Sequence, residues 1–161
     1  MTPSSATSNL NLQSTQDLLV KTWAKVLIAQ HVQLKSEMNN ITARLSQGSL
    51  CIFQLDAKLR RLIKGVKIHL QLENEFFIPV LWQINITLDQ KNKLTEGFGV
   101  LFETCESTVR LINSLKISLS HAPLKKSHIQ EIECMFDDIR VRLADEDIVY
   151  SMIDTLEEQY V

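Results

Sequence analysis

Glycine and proline are scarce in this chain, four and three in 161 residues, and one of the prolines is Pro3. That shortage excludes a fold of many short strands, whose reversals need turn residues the sequence does not hold. No stretch reaches the roughly 18 consecutive apolar residues of a membrane span, so no membrane partner is expected. The opening MTPSSATSNLNLQS lacks both the basic start and the apolar stretch of a secretory signal, and residues 1–14 read as a disordered N-terminal arm. Cysteine is sparse too. Cys51, Cys105 and Cys134 are odd in number, never spaced as C-x-x-C and set in apolar patterns, which predicts reduced, buried thiols in a cytoplasmic protein. The chain also lacks G-x-S-x-G, a phosphate-binding Gly-rich loop and a dinucleotide fingerprint, and Cys105 has no base that the sequence identifies. These absences point away from an enzyme, and no cofactor is expected.

The 45% hydrophobic content suffices for one core, and it is distributed with helical period. Over 15–46, Leu19, Trp23, Val26, Leu27, Leu34, Met38, Ile41 and Leu45 recur at three and four residues, and Gln47-Gly48-Ser49 ends the segment. A second segment starts near Cys51 and carries Ile52, Leu55, Leu59, Leu62, Val66, Leu70, Phe76, Phe77 and Val80, with Pro79 bending its last turns or ending it near Ile78. The polar stretch 89–93 reads as a link. A third segment, 94–119, shows Phe98, Leu101, Phe102, Cys105, Val109, Ile112, Leu115 and Leu119. Ser127 is the expected N-cap of a fourth, with Ile129, Ile132, Phe136, Ile139, Leu143, Tyr150 and Ile153. Four helices with short links predict an all-α chain, a single domain over 15–161 folded as an antiparallel up-and-down four-helix bundle.

Polar residues interrupt these stripes. His31 falls between Leu27 and Leu34, Glu73 between Leu70 and Phe77, and Glu146 between Leu143 and Tyr150. His69 and Glu73 are four apart on one face, as are Arg142 and Glu146, so each pair can interact directly. In a bundle these groups would share one internal layer, as a satisfied polar cluster, a recognition pocket or a metal site.

The run H69-L-Q-L-E73 followed by aromatics and Pro79 resembles the second-helix signature of hemerythrin-like HHE domains. His31, His69 and Glu73 match that family's first-helix histidine and second-helix H-x-x-x-E pair. The segment 94–119 has no histidine, and Arg142 stands where a fourth-helix echo wants one. Arginine offers no lone pair to a metal. The resemblance therefore implies at most a single ion on His31, His69, Glu73 and Glu146, without oxygen-carrier activity.

Leu19, Val20 and Trp23 in LLVKTWAKV, with Arg142, Glu146 and Asp147 in VRLADEDIV, resemble blocks near the start and end of the Rsd/AlgQ family of bacterial anti-sigma regulators. Leu143 and Asp145 depart from the second block, where the family has an aromatic and a leucine. The resemblance implies a non-enzymatic regulator that binds the primary sigma factor at its C-terminal promoter-reading domain, with Trp23, Arg142, Asp145, Glu146 and Asp147 as candidate contacts. Charge adds a separate argument. Ten acids and two bases occupy 130–161, and a strongly acidic helix complements a basic, DNA-reading surface. Lys58, Arg60, Arg61, Lys64 and Lys67 wrap around the second helix rather than form one face, which argues against direct nucleic-acid binding.

Overall fold

The structure is a computed structural model that describes residues 6–82, 87–95, 98–118 and 124–155. It is all-helical, with no strand among the described residues. The elements are α1 (Ala6–Ser46), α2 (Ile52–Leu72), a π-helical turn (Glu73–Phe77), α3 (Ile78–Leu81), α4 (Leu88–Thr95), α5 (Phe98–Ser118) and α6 (Lys126–Thr155). No helix is long and apolar enough to cross a membrane.

Helix α1 begins at Ala6, inside the segment expected to be an arm. Neither glycine nor proline lies between Ala6 and Ser46 to interrupt it. It stops where Gly48 takes a φ of 62°, a left-handed conformation that suits glycine, while Ser49 N–H bonds back to Arg44 O at 3.0 Å.

Pro79 does not end the second segment at Ile78. Proline has no N–H to give the preceding turn, and here the turn before it widens: Ile78 N–H bonds to Glu73 O, five residues back. The helical path then continues to Leu81, and Trp82 N–H closes on Ile78 O at 3.0 Å.

The expected link 89–93 belongs to α4. Thr87 and Gln90 cap it reciprocally, with Gln90 N–H on Thr87 Oγ1 at 3.3 Å and Thr87 N–H on Gln90 Oε1 at 2.9 Å. At the start of α6 it is Lys125 O, not Ser127, that receives the first N–H groups, from His128 and Ile129.

Helix α1 packs against α2 and α6, and α5 packs against the same two helices. Cross-helix pairs fix the register. Gln30 meets His69, Glu37 meets Arg61, and Asn40 meets Lys58 between α1 and α2. Asp56 meets Lys116 and Lys67 meets Glu106 between α2 and α5, while Lys35 meets Asp147 and Asn39 meets Arg140 between α1 and α6.

Among the described residues the core forms two apolar clusters. The larger contains Met38, Leu55, Leu59, Leu62, Ile112, Phe136 and Ile139, and the smaller Val20, Ala24, Leu27, Phe77, Leu94, Tyr150 and Ile153. In α1 the buried stripe runs through Val20 and Ala24, while Leu19 and Val26 are exposed and Trp23 is half-buried. Phe76 and Phe102 also point outward. The side chains of Phe98 and Leu119 lie outside the described residues. Of the three thiols only Cys105 is buried, and burial pushes it up to about 11, leaving it inert. Cys51 is exposed at the N-cap of α2, and Cys134 is exposed on α6 between the inward positions Ile132 and Met135.

Candidate functional site

Between the apolar clusters lies a layer of buried polar side chains: His31 from α1, His69 from α2, Glu73 from the π turn, and Arg142 and Glu146 from α6. Each is placed by the helical period that buries its neighbours. His31 continues the stripe of Leu27 and Leu34, and Glu146 that of Leu143 and Tyr150. Burying charge this deeply is costly unless every group finds a partner.

Three of these side chains converge. His31 Nε2 and His69 Nε2 lie 3.0 and 2.9 Å from the same oxygen, Glu146 Oε2, and 3.1 Å from each other. The outer nitrogens are already engaged: His31 Nδ1 donates to Asp147 Oδ1 at 2.7 Å, and His69 Nδ1 donates to Gln30 Oε1 at 3.0 Å. With a hydrogen on each Nδ1, both Nε2 atoms present lone pairs toward a carboxylate oxygen. Three electron-rich atoms cannot face one another at this distance without positive charge among them. Protons on the imidazoles supply it, or a metal ion does.

The donor set fits one ion. Octahedral coordination with bonds of about 2.0–2.2 Å separates adjacent ligand atoms by about 2.8–3.1 Å, and two histidines with one carboxylate are a recognised facial triad. Asp147 and Gln30 fix the tautomers from behind, as partners of metal-bound histidines do. Lys35 in turn holds Asp147, its Nζ 2.6 Å from Oδ2. The carboxyl of Asp147 is held below its ordinary range, because these bonds from Lys35 and His31 outweigh the cost of burial.

Glu73 stands apart from this triad. Its Oε2 receives Arg142 Nη2 at 3.1 Å and its Oε1 receives the Tyr150 hydroxyl at 3.2 Å. The expected His69–Glu73 pairing is thus replaced, since α6 supplies Glu73 with a cation and a hydroxyl while His69 turns to Glu146. Arg142 bridges the layer, with Nε against Glu146 Oε1 and Nη2 also on the backbone oxygen of Leu94 in α4. This confirms the Arg142–Glu146 contact that the four-residue spacing predicts. A guanidinium occupies the place between the two glutamates, so the layer does not fit a second ion there.

The two glutamates titrate in opposite directions. Burial and then the charge of Glu146 push Glu73 up to about 8, against Arg142 and Tyr150. Burial would also raise Glu146, but hydrogen bonds from His31 and His69 and the charge of Arg142 overcome it and bring the carboxyl to about 2. Arg142 itself is raised: burial opposes its charge, and Glu146 and Glu73 more than compensate. Tyr150 is driven well above its ordinary value by burial and by the same two carboxylates.

The five residues expected as partner contacts do not share a surface. Arg142 and Glu146 are interior, Asp147 is half-buried in its pairs with Lys35 and His31, and only Asp145 is freely exposed. Trp23 stacks on Phe76 with centroids 5.3 Å apart. Of the α2 bases, Arg60 pairs with Asp56, Arg61 with Glu37 and Lys67 with Glu106. Gln30 and Lys35 are the residues sequence reasoning missed; their positions one before and four after His31 are the only signal for them. Set against family models, curated proteins and solved structures, the chain matches none.

Proposed function

We propose that this chain is a hemerythrin-like, non-enzymatic regulatory protein that holds a single divalent transition-metal ion between His31, His69 and Glu146, without oxygen-carrier activity. One observation carries the reading: the 2.9–3.1 Å triangle of Nε2, Nε2 and Oε2 atoms whose outer nitrogens are already satisfied. The scaffold we propose for it is an antiparallel up-and-down four-helix bundle of α1, α2, α5 and α6. In its support, residue numbers rise on one helix as they fall on the other from Gln30–His69 to Asn40–Lys58, from Asp56–Lys116 to Lys67–Glu106, and from Lys35–Asp147 to Asn39–Arg140. An ion on the triad would tie three of the four helices together, so loading and stiffness are linked.

Titrating the ion-free protein with Zn(II), and with Fe(II) under anaerobic conditions, tests this. One ion per chain is expected, with proton release because the ion displaces hydrogens from nitrogen. His69→Ala should abolish uptake. Two stoichiometric irons, or no uptake at tens of micromolar by folded protein, overturns the proposal.

A second reading is an anti-sigma regulator of the cytoplasm. Its support is an apolar ridge in which Trp23, stacked on Phe76, is flanked along α1 by exposed Leu19 and Val26, a composition typical of protein-binding surfaces. The primary sigma factor comes from the resemblance of the Trp23 and Arg142 blocks alone. Calorimetry with its purified C-terminal domain tests it: Trp23→Ala and Asp145→Ala should each weaken binding, and no heat of binding at tens of micromolar removes the partner.

A further inference from the structure

A groove of about 1170 Å³ runs between α5 and α6, and none of its lining residues belongs to α1. On α6 its lining recurs at Ser127, Glu131, Cys134 and Asp138, three helical turns along one face. The floor is apolar, formed by buried Met135, half-buried Leu111 and the partly exposed ring of Phe102. The rim is acidic. Glu103, Glu131 and Asp138 line it and make no ion pair among the described residues, against the single cation Arg110. Among the other acids of these two helices, Glu106 has Lys67, Asp137 has Arg140 and Asp147 has Lys35, while Glu133 and Asp145 are exposed outside the groove lining.

We infer that this groove is a docking site for a basic amphipathic helix of a partner protein. The form of the groove and its charge select that occupant. A divalent cation is excluded by spacing, since Glu131 and Asp138 are seven residues apart, about 10 Å along the axis, and cannot converge on one ion. The same two-turn spacing matches cations at i and i+7 of a partner helix, whose intervening i+3 and i+4 positions would meet Met135 and Leu111. Nucleic acid and acidic lipid carry the wrong sign. The remaining C-terminal residues of this chain, LEEQYV, are acidic as well and do not complement the rim. The rim charges steer the encounter and the apolar floor retains the partner. This surface is independent of the histidine triad and of the Trp23 ridge.

Cys134, exposed in the groove, and Cys51, exposed at the start of α2 and outside the groove lining, make an internal comparison for testing it. The full-length protein is treated with a thiol reagent, and modification at each cysteine is followed by peptide mass mapping. The probe is a synthetic, cysteine-free helix of about 18 residues with lysine at i and i+7, leucine at i+3 and i+4, and alanine or glutamine elsewhere. At several times its Kd the probe should slow modification of Cys134 by about fivefold or more and leave Cys51 unchanged. Glu131→Lys combined with Asp138→Lys, both exposed positions, should remove the protection while leaving helicity and metal uptake unaltered. Equal slowing of both cysteines overturns the inference, as does equal protection by a glutamate-for-lysine version of the peptide. Protection that grows with protein concentration in the absence of peptide also overturns it, assigning the groove to a second copy of the chain.

Discussion

Replacing Glu146 by alanine is the sharpest probe of the polar layer. The wild-type carboxylate is fully buried and serves three partners: His31 and His69 on Oε2, and Arg142 on Oε1. Removing it leaves a guanidinium that is 8% exposed beside two imidazoles, with Glu73 as its remaining carboxylate. Breaking a buried pair from one side costs about 3–5 kcal/mol. Part of this is recovered, because Glu73 is kept protonated partly by the charge of Glu146 and can ionise once that charge is gone. The expected loss is therefore about 2–4 kcal/mol at pH 7, a large share of a stability of roughly 5–15 kcal/mol.

The pH dependence separates electrostatics from simple cavity formation. Glu146 is depressed to about 2 when folded, so its contribution is complete above the unfolded carboxyl value and disappears as the pH falls from about 4.5 towards 2. The size of that shift corresponds to about 3 kcal/mol. Urea denaturation of wild type and Glu146→Ala at pH 7, 5 and 3 measures both effects. The difference between the two proteins should shrink on acidification. A loss below about 1 kcal/mol at pH 7, the scale of an exposed pair, refutes the reasoning, and so does a difference that does not change with pH.

Tyr150→Phe removes the hydroxyl from Glu73 and should cost about 1 kcal/mol in the same denaturation assay; a stabilised variant would show that the bond carries nothing. Asp56→Ala strips the partner from Arg60 and Lys116, 2.7 and 2.8 Å away. Both cations can return to water, so the expected loss is only about 1–2 kcal/mol. Asp56 is depressed when folded because Lys116 and Arg60 outweigh burial, so its contribution should vanish as acid takes the pH through the ordinary carboxyl range, with no effect on metal uptake. Arg142→His should not create a second ion site: calorimetric stoichiometry should stay at one while thermal stability drops, because the Leu94 carbonyl and Glu73 lose their donor. Binding of a second equivalent would show that Arg142 alone limits the site.

Most of the helical architecture is written in apolar spacing, and where the reading slips the reason is local. LLVKTWAKVLI carries two adjacent apolar stripes, Leu19-Trp23-Val26 and Val20-Ala24-Leu27, that periodicity alone does not rank. The fold buries the second, placing the small side chain of Ala24 in the cluster that holds Phe77 and Tyr150. The space left by those rings is a property of the partner helices, not of α1. Helix α4 carries little apolar pattern, yet Thr87-x-x-Gln90 is a capping box that a search for helix starts can find. The π turn has a weaker signal. HLQLENEFF has ordinary helical spacing, and only Pro79 indicates that the ladder must be rearranged nearby.

The histidines and glutamates of the site are legible as polar interruptions of apolar stripes, but their pairing is not. Sequence spacing links His69 to Glu73 and Arg142 to Glu146; the fold keeps the second link and exchanges the first across helices. The exchange follows from charge. Arg142 can reach both glutamates only by lying between them, and there it donates to Glu73 and offsets the charge of Glu146 through one of its oxygens. The other oxygen of Glu146 is left to the two imidazoles, whose outer nitrogens are already committed to Asp147 and Gln30. A fixed cation thus fills one half of the layer, and the half that remains is where the proposed ion would take the place of protons. The place of Arg142 in the sequence, four residues before Glu146 and within reach of Glu73, is what would confine the proposed ion to a single site.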